Sequence, residues 1–302
     1  MSTDTLILDC PAQAYVRENP RISYVEPDDP LLRRQLTASM EVCFGRRRIE
    51  AIYHALKNRP FDIHTFFDAA LQATNITPVY DAAPLSAIPK QGPLVMVANH
   101  PFGVLDGLVM CQLALQIRGN FRIMIHSLLC QDQDLAPYLL PIDFRQTKAA
   151  TRNNIAVKKA ALQALEHDIP VLIFPSGMVS TANKFGFGEV KDAPWTTFAA
   201  KLIRAAEATA VPIHFFGQNS RKFHVASHIA EPMRMALLVH EVLRKQGEQV
   251  HLNIGAPIDW GVLRQFESRQ SLTHYLYNQV QALGHLPSAP PEMDSYSATT
   301  QG

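Results

Sequence analysis

The chain has 302 residues, room for one large domain or two small ones, and 47% of them are hydrophobic. Charged residues make up only 18%, against a usual ~25%, and a net charge of +1 argues against bulk nucleic-acid binding. No apolar run approaches the ~20 residues of a membrane span, and the start, MSTDTLILDCPAQ, has neither a basic cluster nor a long apolar segment, so no secretory signal is expected.

Residues 1–30 carry Pro11, Pro20, Pro27 and Pro30 with little periodicity and read as an extended arm. Residues 31–78 read as a helical segment packed on the main domain. Leu36, Met40, Cys43 and Phe44 share one helical face, and Gly45 interrupts. Ile49, Ile52, Tyr53 and Leu56 share another, which Pro60 ends, and Ile63, Phe66, Phe67, Ala70 and Leu71 make a third. Between 31 and 59 lie Arg33, Arg34, Arg46, Arg47, Arg48, Lys57 and Arg59 against Glu41 and Glu50, a net of +5 that leaves −4 for the rest. A basic amphipathic segment suits an anionic membrane surface. It equally suits a solvated face whose apolar side packs on the main domain.

From 79 to 286 the pattern alternates. Strands are predicted over 94–98, 121–125, 139–142, 171–174, 211–216 and 250–254, and helices over 105–117, 152–166, 195–208, 233–246 and 272–283. Such alternation predicts an α/β domain with a mostly parallel sheet flanked by helices. Residues 287–302, rich in Pro, Ser and Thr, are expected to form a disordered tail. The four cysteines, Cys10, Cys43, Cys111 and Cys130, form no CxxC pair and read as buried reduced thiols, with the cytoplasm as default compartment. No histidine or cysteine cluster has metal-ligand spacing, and no metal is expected.

Two stretches carry the chemistry. In the first, an apolar strand over 94–98 runs into Asn99-His100-Pro101-Phe102-Gly103 and then into a helix with Asp106 in its first turn. Pro101 and Gly103 bend the chain, so His100 and Asp106 can meet although a straight helix would set residues six apart on opposite faces. A carboxylate on one imidazole nitrogen leaves the other free to act as a base. The same residues also fit a histidine at a helix cap and an ordinary first-turn acid beside the helix dipole. In the second stretch, a strand over 171–174 ends in Pro175-Ser176-Gly177, whose backbone N–H groups suit an anionic ligand. Ser176 lacks the Gly-x-Ser-x-Gly elbow of a hydrolase nucleophile.

In this order, Asn99-His100-Pro101-Phe102-Gly103-Val104-Leu105-Asp106-Gly107 and Phe174-Pro175-Ser176-Gly177 resemble the lysophospholipid acyltransferase superfamily of glycerolipid O-acyltransferases. The chain is more similar to the bacterial branch whose members carry the label hemolysin. Leu139-Leu140-Pro141-Ile142-Asp143-Phe144, Val211-Pro212-Ile213 and Phe216-Gly217-Gln218-Asn219-Ser220-Arg221 match further blocks, and the resemblance spans residues 40–258. It implies a glycerolipid acyltransferase-like fold and transfer of a fatty acyl group from acyl-CoA or an acyl carrier protein, as co-substrate rather than bound cofactor, to a lyso-lipid hydroxyl. His100 would be the general base and Asp106 its partner. Asn99, Phe102, Gly103, Arg145, Phe174, Pro175, Ser176 and Gly177 would contact substrate. The protein would sit peripherally on the inner face of the membrane, with the cytoplasm behind it.

Two departures narrow this. Five residues separate His100 from Asp106, where the common motif has four. Ser176 stands where the common third block has glutamate, and Met178-Val179 where it has a phosphate-holding arginine. Arg145, Lys148, Arg152 and Lys184 are candidate replacements, and an acceptor other than glycerol phosphate or lysophosphatidate is open. Two further readings stay open as well: a thioesterase or lipid hydrolase using the same pair, and a non-catalytic lipid-binding protein.

Overall fold

A computed structural model describes residues 8–288 apart from 22, 24, 26–28, 146 and 230, with 231 and 232 described by their backbone alone. The predicted tail beyond 288 and the first seven residues of the arm lie outside the described residues. In chain order the elements are α1 (Leu31–Cys43), α2 (Arg46–Lys57), α3 (Ile63–Ala73), β1 (Thr77–Val79), α4 (Ala83–Ser86), β2 (Leu94–Ala98) and α5 (Val104–Arg118). Then come β3 (Arg122–His126), β4 (Leu139–Ile142), α6 (Lys148–Glu166), β5 (Val171–Ile173), α7 (Phe198–Ala206) and β6 (Thr209–Phe215). The chain closes with α8 (Arg221–Ile229), α9 (Glu231–Arg244), β7 (Gln249–Ile254), α10 (Trp260–Leu263) and α11 (Arg269–Leu283).

The all-apolar sequence of β2, Leu-Val-Met-Val-Ala, is buried at every position, as a strand covered on both faces must be. Period-two alternation divides it between two layers. Leu94, Met96 and Ala98 join Phe67, Leu71, Leu105, Val109 and Leu113 of α3 and α5. Val95 and Val97 join Val157, Ala161, Leu202, Ile203, Leu272 and Leu276 of α6, α7 and α11. Burying side chains of this size contributes about 1.5–3 kcal/mol each. The strand order is β1-β7-β6-β2-β5-β3-β4. Strands β2 to β6 run parallel, β7 is antiparallel to β6, and β1 is parallel to β7. The carboxyl ends of β2, β3, β4, β5 and β6 therefore share one edge, where open α/β sheets bind ligands.

The N-terminal helices precede this domain as expected. Helices α1 and α8 both pack on α9. Glu41 of α1 is fully buried and accepts from Ser23 at 2.8 Å and from Arg46 of α2 at 2.9 Å. The described part of the arm is docked on the domain. Residues Pro11–Tyr15 form a 3-10 turn with Ala12 buried, Cys10 Sγ donates to the Ala136 carbonyl, and the Arg17 N–H donates to the Gln131 carbonyl at 3.0 Å.

The differences from the sequence reading have local causes. Strand β1 is three residues long and contains Pro78, which suits an edge strand paired only with β7. Helix α8 buries Phe223, His224 and Ala226 but is otherwise polar, so its period is weak. Helix α6 starts four residues earlier than predicted because Thr147 caps it, accepting from the Ala150 N–H at 3.1 Å. Cys111 and Cys130 are buried, but Cys10 is half-buried and Cys43 exposed at the C-terminal end of α1, which corrects the expectation of four buried thiols.

Candidate active site

At the carboxyl end of β2, Asn99 locks the departing chain to β6. Its amide donates to the Phe215 carbonyl at 2.9 Å and accepts from the Phe215 N–H at 2.7 Å. The chain then turns sharply. Gly103, at φ +84°, occupies a conformation that strains side-chain-bearing residues, and a Cβ there would lie 3.1 Å from Leu238 and Val179. The turn closes on Asp106. Its Oδ2 accepts the N–H groups of Phe102 at 2.8 Å and Gly103 at 2.9 Å. This is the local reason a helix begins here, since a carboxylate at the third helical position satisfies N–H groups otherwise unpaired.

That geometry brings His100 onto Asp106, with Nδ1 and Oδ2 3.0 Å apart. Asp106 is fully buried. Burial pushes its carboxyl above the usual carboxylate range, opposed by the imidazole and the two N–H groups. The imidazole is turned so that Nδ1 makes a close contact without an aligned hydrogen bond, and Oδ1 of Asp106 also lacks a partner among the described residues. Such pairs often tighten when substrate enters.

The ring is fixed from its face by Phe174, stacked at a centroid distance of 3.9 Å and an angle of 22°. The backbone is fixed at both ends. The His100 N–H donates to Asp192 Oδ1 at 3.2 Å, and the His100 carbonyl accepts the Ser180 N–H at 2.8 Å. Asp192 also accepts the Ser180 hydroxyl and the Trp195 indole N–H at 2.8 Å. Sequence reasoning missed Ser180, Asp192 and Trp195. No local pattern marks them, and only the course of the chain after β5 brings them under His100.

The remaining expected site residues divide. Asn99 and Phe102 build the loop from inside: the amide of one closes on β6, and the buried ring of the other packs against Gly217 with Lys245 Nζ 4.4 Å away. Pro175 gives its carbonyl to the Thr196 N–H at 2.9 Å. The Ser176 hydroxyl donates to the Met178 carbonyl at 2.8 Å, so its proton is held within the turn. Gly177, at φ +64°, lies beneath Phe144, whose ring a Cβ would meet at 3.2 Å. Its N–H donates to the Phe174 carbonyl. The N–H groups of Phe102, Gly103 and Gly177 are thus all engaged within their turns. Arg145 folds back on Asp143 with contacts from 2.8 to 3.2 Å, holding that carboxyl below its usual range.

A hollow of about 500 Å³ lies away from these loops, lined by Lys158, Lys201, Arg204, Glu267 and Arg269 of the α6, α7 and α11 side. Its walls include none of the strand-end residues. Among the described residues, no group of three or more His, Cys, Asp or Glu could hold a metal ion, and no helix is long and apolar enough to cross a membrane.

The family model described as acyltransferase matches residues 32–282. The chain belongs to the acyltransferase family. Within it, the chain is 31% identical over 184 residues to a lyso-glycine lipid O-acyltransferase of Phocaeicola vulgatus, covering 58% of this chain and 63% of the relative. It is 28% identical over 181 residues to a lyso-glycine lipid O-acyltransferase of Bacteroides thetaiotaomicron, covering 57% and 63%. The matched region thus spans about 63% of the length of these acyltransferase relatives. A 1-acyl-sn-glycerophosphate acyltransferase structure from Thermotoga maritima aligns over 83% of this chain and 96% of its own, at 15% identity and a TM-score of 0.49.

Proposed function

We propose that this chain transfers a fatty acyl group from the thioester of coenzyme A or of an acyl carrier protein to a hydroxyl of a lyso-lipid, at the cytoplasmic surface of the inner membrane. The observation that carries this reading is the His100–Asp106 pair at a strand-end turn, 3.0 Å apart. His100 Nε2 is left without a hydrogen bond to any described residue. Nε2 takes the proton of the acceptor hydroxyl as that oxygen attacks the thioester carbonyl carbon. The carbon–sulfur bond then breaks, and the departing thiolate takes up a proton. Asp106 holds the other ring nitrogen and stabilises the imidazolium that forms. A positioned base of this kind is worth about 10²–10⁴-fold in rate.

The reading needs no covalent acyl-enzyme, which accords with Ser176 being bonded within its turn. Phe144 and Met178, 55% and 47% exposed on the loops beside Phe174, offer apolar surface to an acyl chain. The relatives' names point to an acceptor with an amino-acid head group. The replacement of the common glutamate and arginine by Ser176 and Met178-Val179 accords with a head group that lacks phosphate.

The test is a product screen by mass spectrometry. The protein is incubated with acyl-CoA or acyl carrier protein thioester and with lyso-glycine lipid, lysophosphatidate or no acceptor. Diacylated product from lyso-glycine lipid is expected. Free fatty acid as the sole product in every arm would assign a hydrolase, and no product in any arm would overturn the reading.

A further inference from the structure

Between Ser180 and Asp192, the two residues that grip the backbone of His100, the chain makes an excursion with a defined stem and tip. The stem is a pair of antiparallel hydrogen bonds, Thr181 N–H to Lys191 carbonyl at 3.0 Å and the reverse at 3.1 Å. The tip is a tight turn organised by Asn183. Its side-chain oxygen accepts the N–H groups of Phe185 at 2.9 Å and Phe187 at 3.2 Å, and its carbonyl accepts that of Gly186 at 2.8 Å. Helix α8 supports the tip from one side. Arg221 donates to the Phe185 carbonyl at 3.1 Å, and its guanidinium lies 3.7 Å from the centroid of Phe187.

This ordered tip holds two aromatic rings out in solvent. Phe185 is 61% exposed and Phe187 55%, and Ile229 at the far end of α8 is 65% exposed. Lys184 Nζ lies 5.2 Å from the Phe185 centroid and Arg221 stacks on Phe187, and both, like Lys222 next to Arg221 in α8, are exposed. The nearby acid Glu189 is paired with Lys191 at 2.9 Å. A rigid display of aromatic rings ringed by cations is unfavourable in water. It matches the boundary of an anionic bilayer, where rings enter the interface and cations meet anionic head groups.

We propose that residues 181–191 form a membrane-docking finger, with Phe185 and Phe187 entering an anionic bilayer and Lys184, Arg221 and Lys222 lying on its head groups. The stem is continuous with Ser180 and Asp192, so docking the finger sets His100 at a fixed place relative to the lipid surface. This deepens the acyltransferase reading by naming the surface through which lyso-lipid reaches the base. It places the primary contact at this finger rather than at the arginines of α1 and α2.

The test compares wild type with Phe185→Ser/Phe187→Ser and with Lys184→Gln/Lys222→Gln, each checked for fold by circular dichroism. Vesicles of phosphatidylcholine with and without phosphatidylglycerol serve as probes. Wild type is expected to co-sediment with the anionic vesicles. The aromatic pair should lower that binding at least tenfold, and the charge pair should weaken it at low salt alone. In Phe185→Trp, emission should shift to the blue on vesicle addition and be quenched by brominated lipid. With lyso-lipid presented in anionic vesicles, kcat/KM of the aromatic pair should fall about tenfold, while a short-chain, water-soluble acceptor is acylated as by wild type. Unchanged vesicle binding would overturn the proposal. So would equal loss on both acceptors, which would make the finger a support for His100 alone, or loss of a self-associated form in place of vesicle binding. Absence of transfer to any acceptor would sink the enzymatic reading, while the vesicle and fluorescence arms still decide the finger.

Discussion

Phe174 lies face to face with the imidazole of His100, 3.9 Å between centroids. The sequence reading expects Phe174 to contact substrate, and its ring also walls one face of the His100 imidazole. An aromatic pair of this kind is worth about 0.5–1.5 kcal/mol beyond the area it buries, and about 1.4 kcal/mol is tenfold in rate. Phe174→Leu is therefore expected to lower kcat up to about tenfold with little change in KM. Phe174→Ala is the poorer probe, because truncating a buried Phe costs about 3–5 kcal/mol of stability. A steady-state comparison of Phe174→Leu with wild type decides it. A rise in KM alone would return Phe174 to substrate binding.

Asp192 gathers three donors: the His100 N–H, the Ser180 hydroxyl and the Trp195 indole. Removing it takes the acceptor from all three; Ser180 is buried and His100 and Trp195 are half-buried, and a buried group left unsatisfied costs about 1–3 kcal/mol. Asp192→Ala should lower thermal stability and kcat together, because the loop under His100 is released. Asp192→Asn keeps one acceptor oxygen and should restore part of both. An unchanged kcat in Asp192→Ala with lowered thermal stability would reduce Asp192 to a purely structural anchor.

The basic stretch of α1 and α2 separates into two kinds of arginine. Arg46 reaches buried Glu41 at 2.9 Å and Glu50 at 3.6 Å, while Arg34, Arg47 and Arg48 are exposed. Leu31, Leu32 and Leu36 of α1 are also exposed, at 66%, 78% and 57%. Arg46→Gln takes one charged donor from buried Glu41, which keeps the Ser23 hydroxyl, and should cost about 1–3 kcal/mol in chemical denaturation. Neutralising Arg34, Arg47 and Arg48 should leave stability within about 0.5 kcal/mol. If this face assists the finger, anionic-vesicle affinity should weaken by up to about fivefold per residue at low salt, from about 1 kcal/mol per cation near the surface. Co-sedimentation across a salt series separates the cases, and no change in the triple variant would make this face a solvated one.

The sheet was legible because its central strands are short apolar runs. Strands β2 and β4 stand where predicted, since burial on both faces leaves no other reading for Leu94–Ala98. The His100–Asp106 approach was legible because Pro101 and Gly103 mark the bend. What the sequence hid is non-local. The grip of Asp192 on a backbone N–H 92 positions away depends on how the chain returns after β5. Arg145 offered a free cation on paper and is folded onto Asp143, two residues back, because the end of β4 places them together. Phe185 and Phe187 gave no signal as a pair, since only the Asn183 turn exposes both.

On the proposed mechanism, Asp106 links stability and catalysis in opposite senses. Its carboxyl is raised by burial, so the folded protein holds that proton more tightly than the unfolded chain does. Below the unfolded value both states are protonated and burial carries no electrostatic cost. As pH rises from there through the raised folded value, wild type loses stability, and above that value the loss is constant. Asp106→Asn has no such titration. Its side-chain oxygen can still accept the Phe102 and Gly103 N–H groups, so the turn is kept. Unfolding free energies over a pH series should therefore show the variant gaining on wild type through that window and staying ahead at neutral pH. Activity should move the other way. The amide oxygen takes the place of Oδ2 and still faces Nδ1, but it carries no charge to stabilise the imidazolium. Transfer should fall about 10²–10⁴-fold. His100→Ala should abolish it while leaving vesicle binding intact, because the docking residues lie on the finger and the helices. A variant Asp106→Asn that keeps the wild-type rate, or His100→Ala that still acylates the confirmed acceptor, would remove the general base from the mechanism and leave the pair a structural feature of the turn.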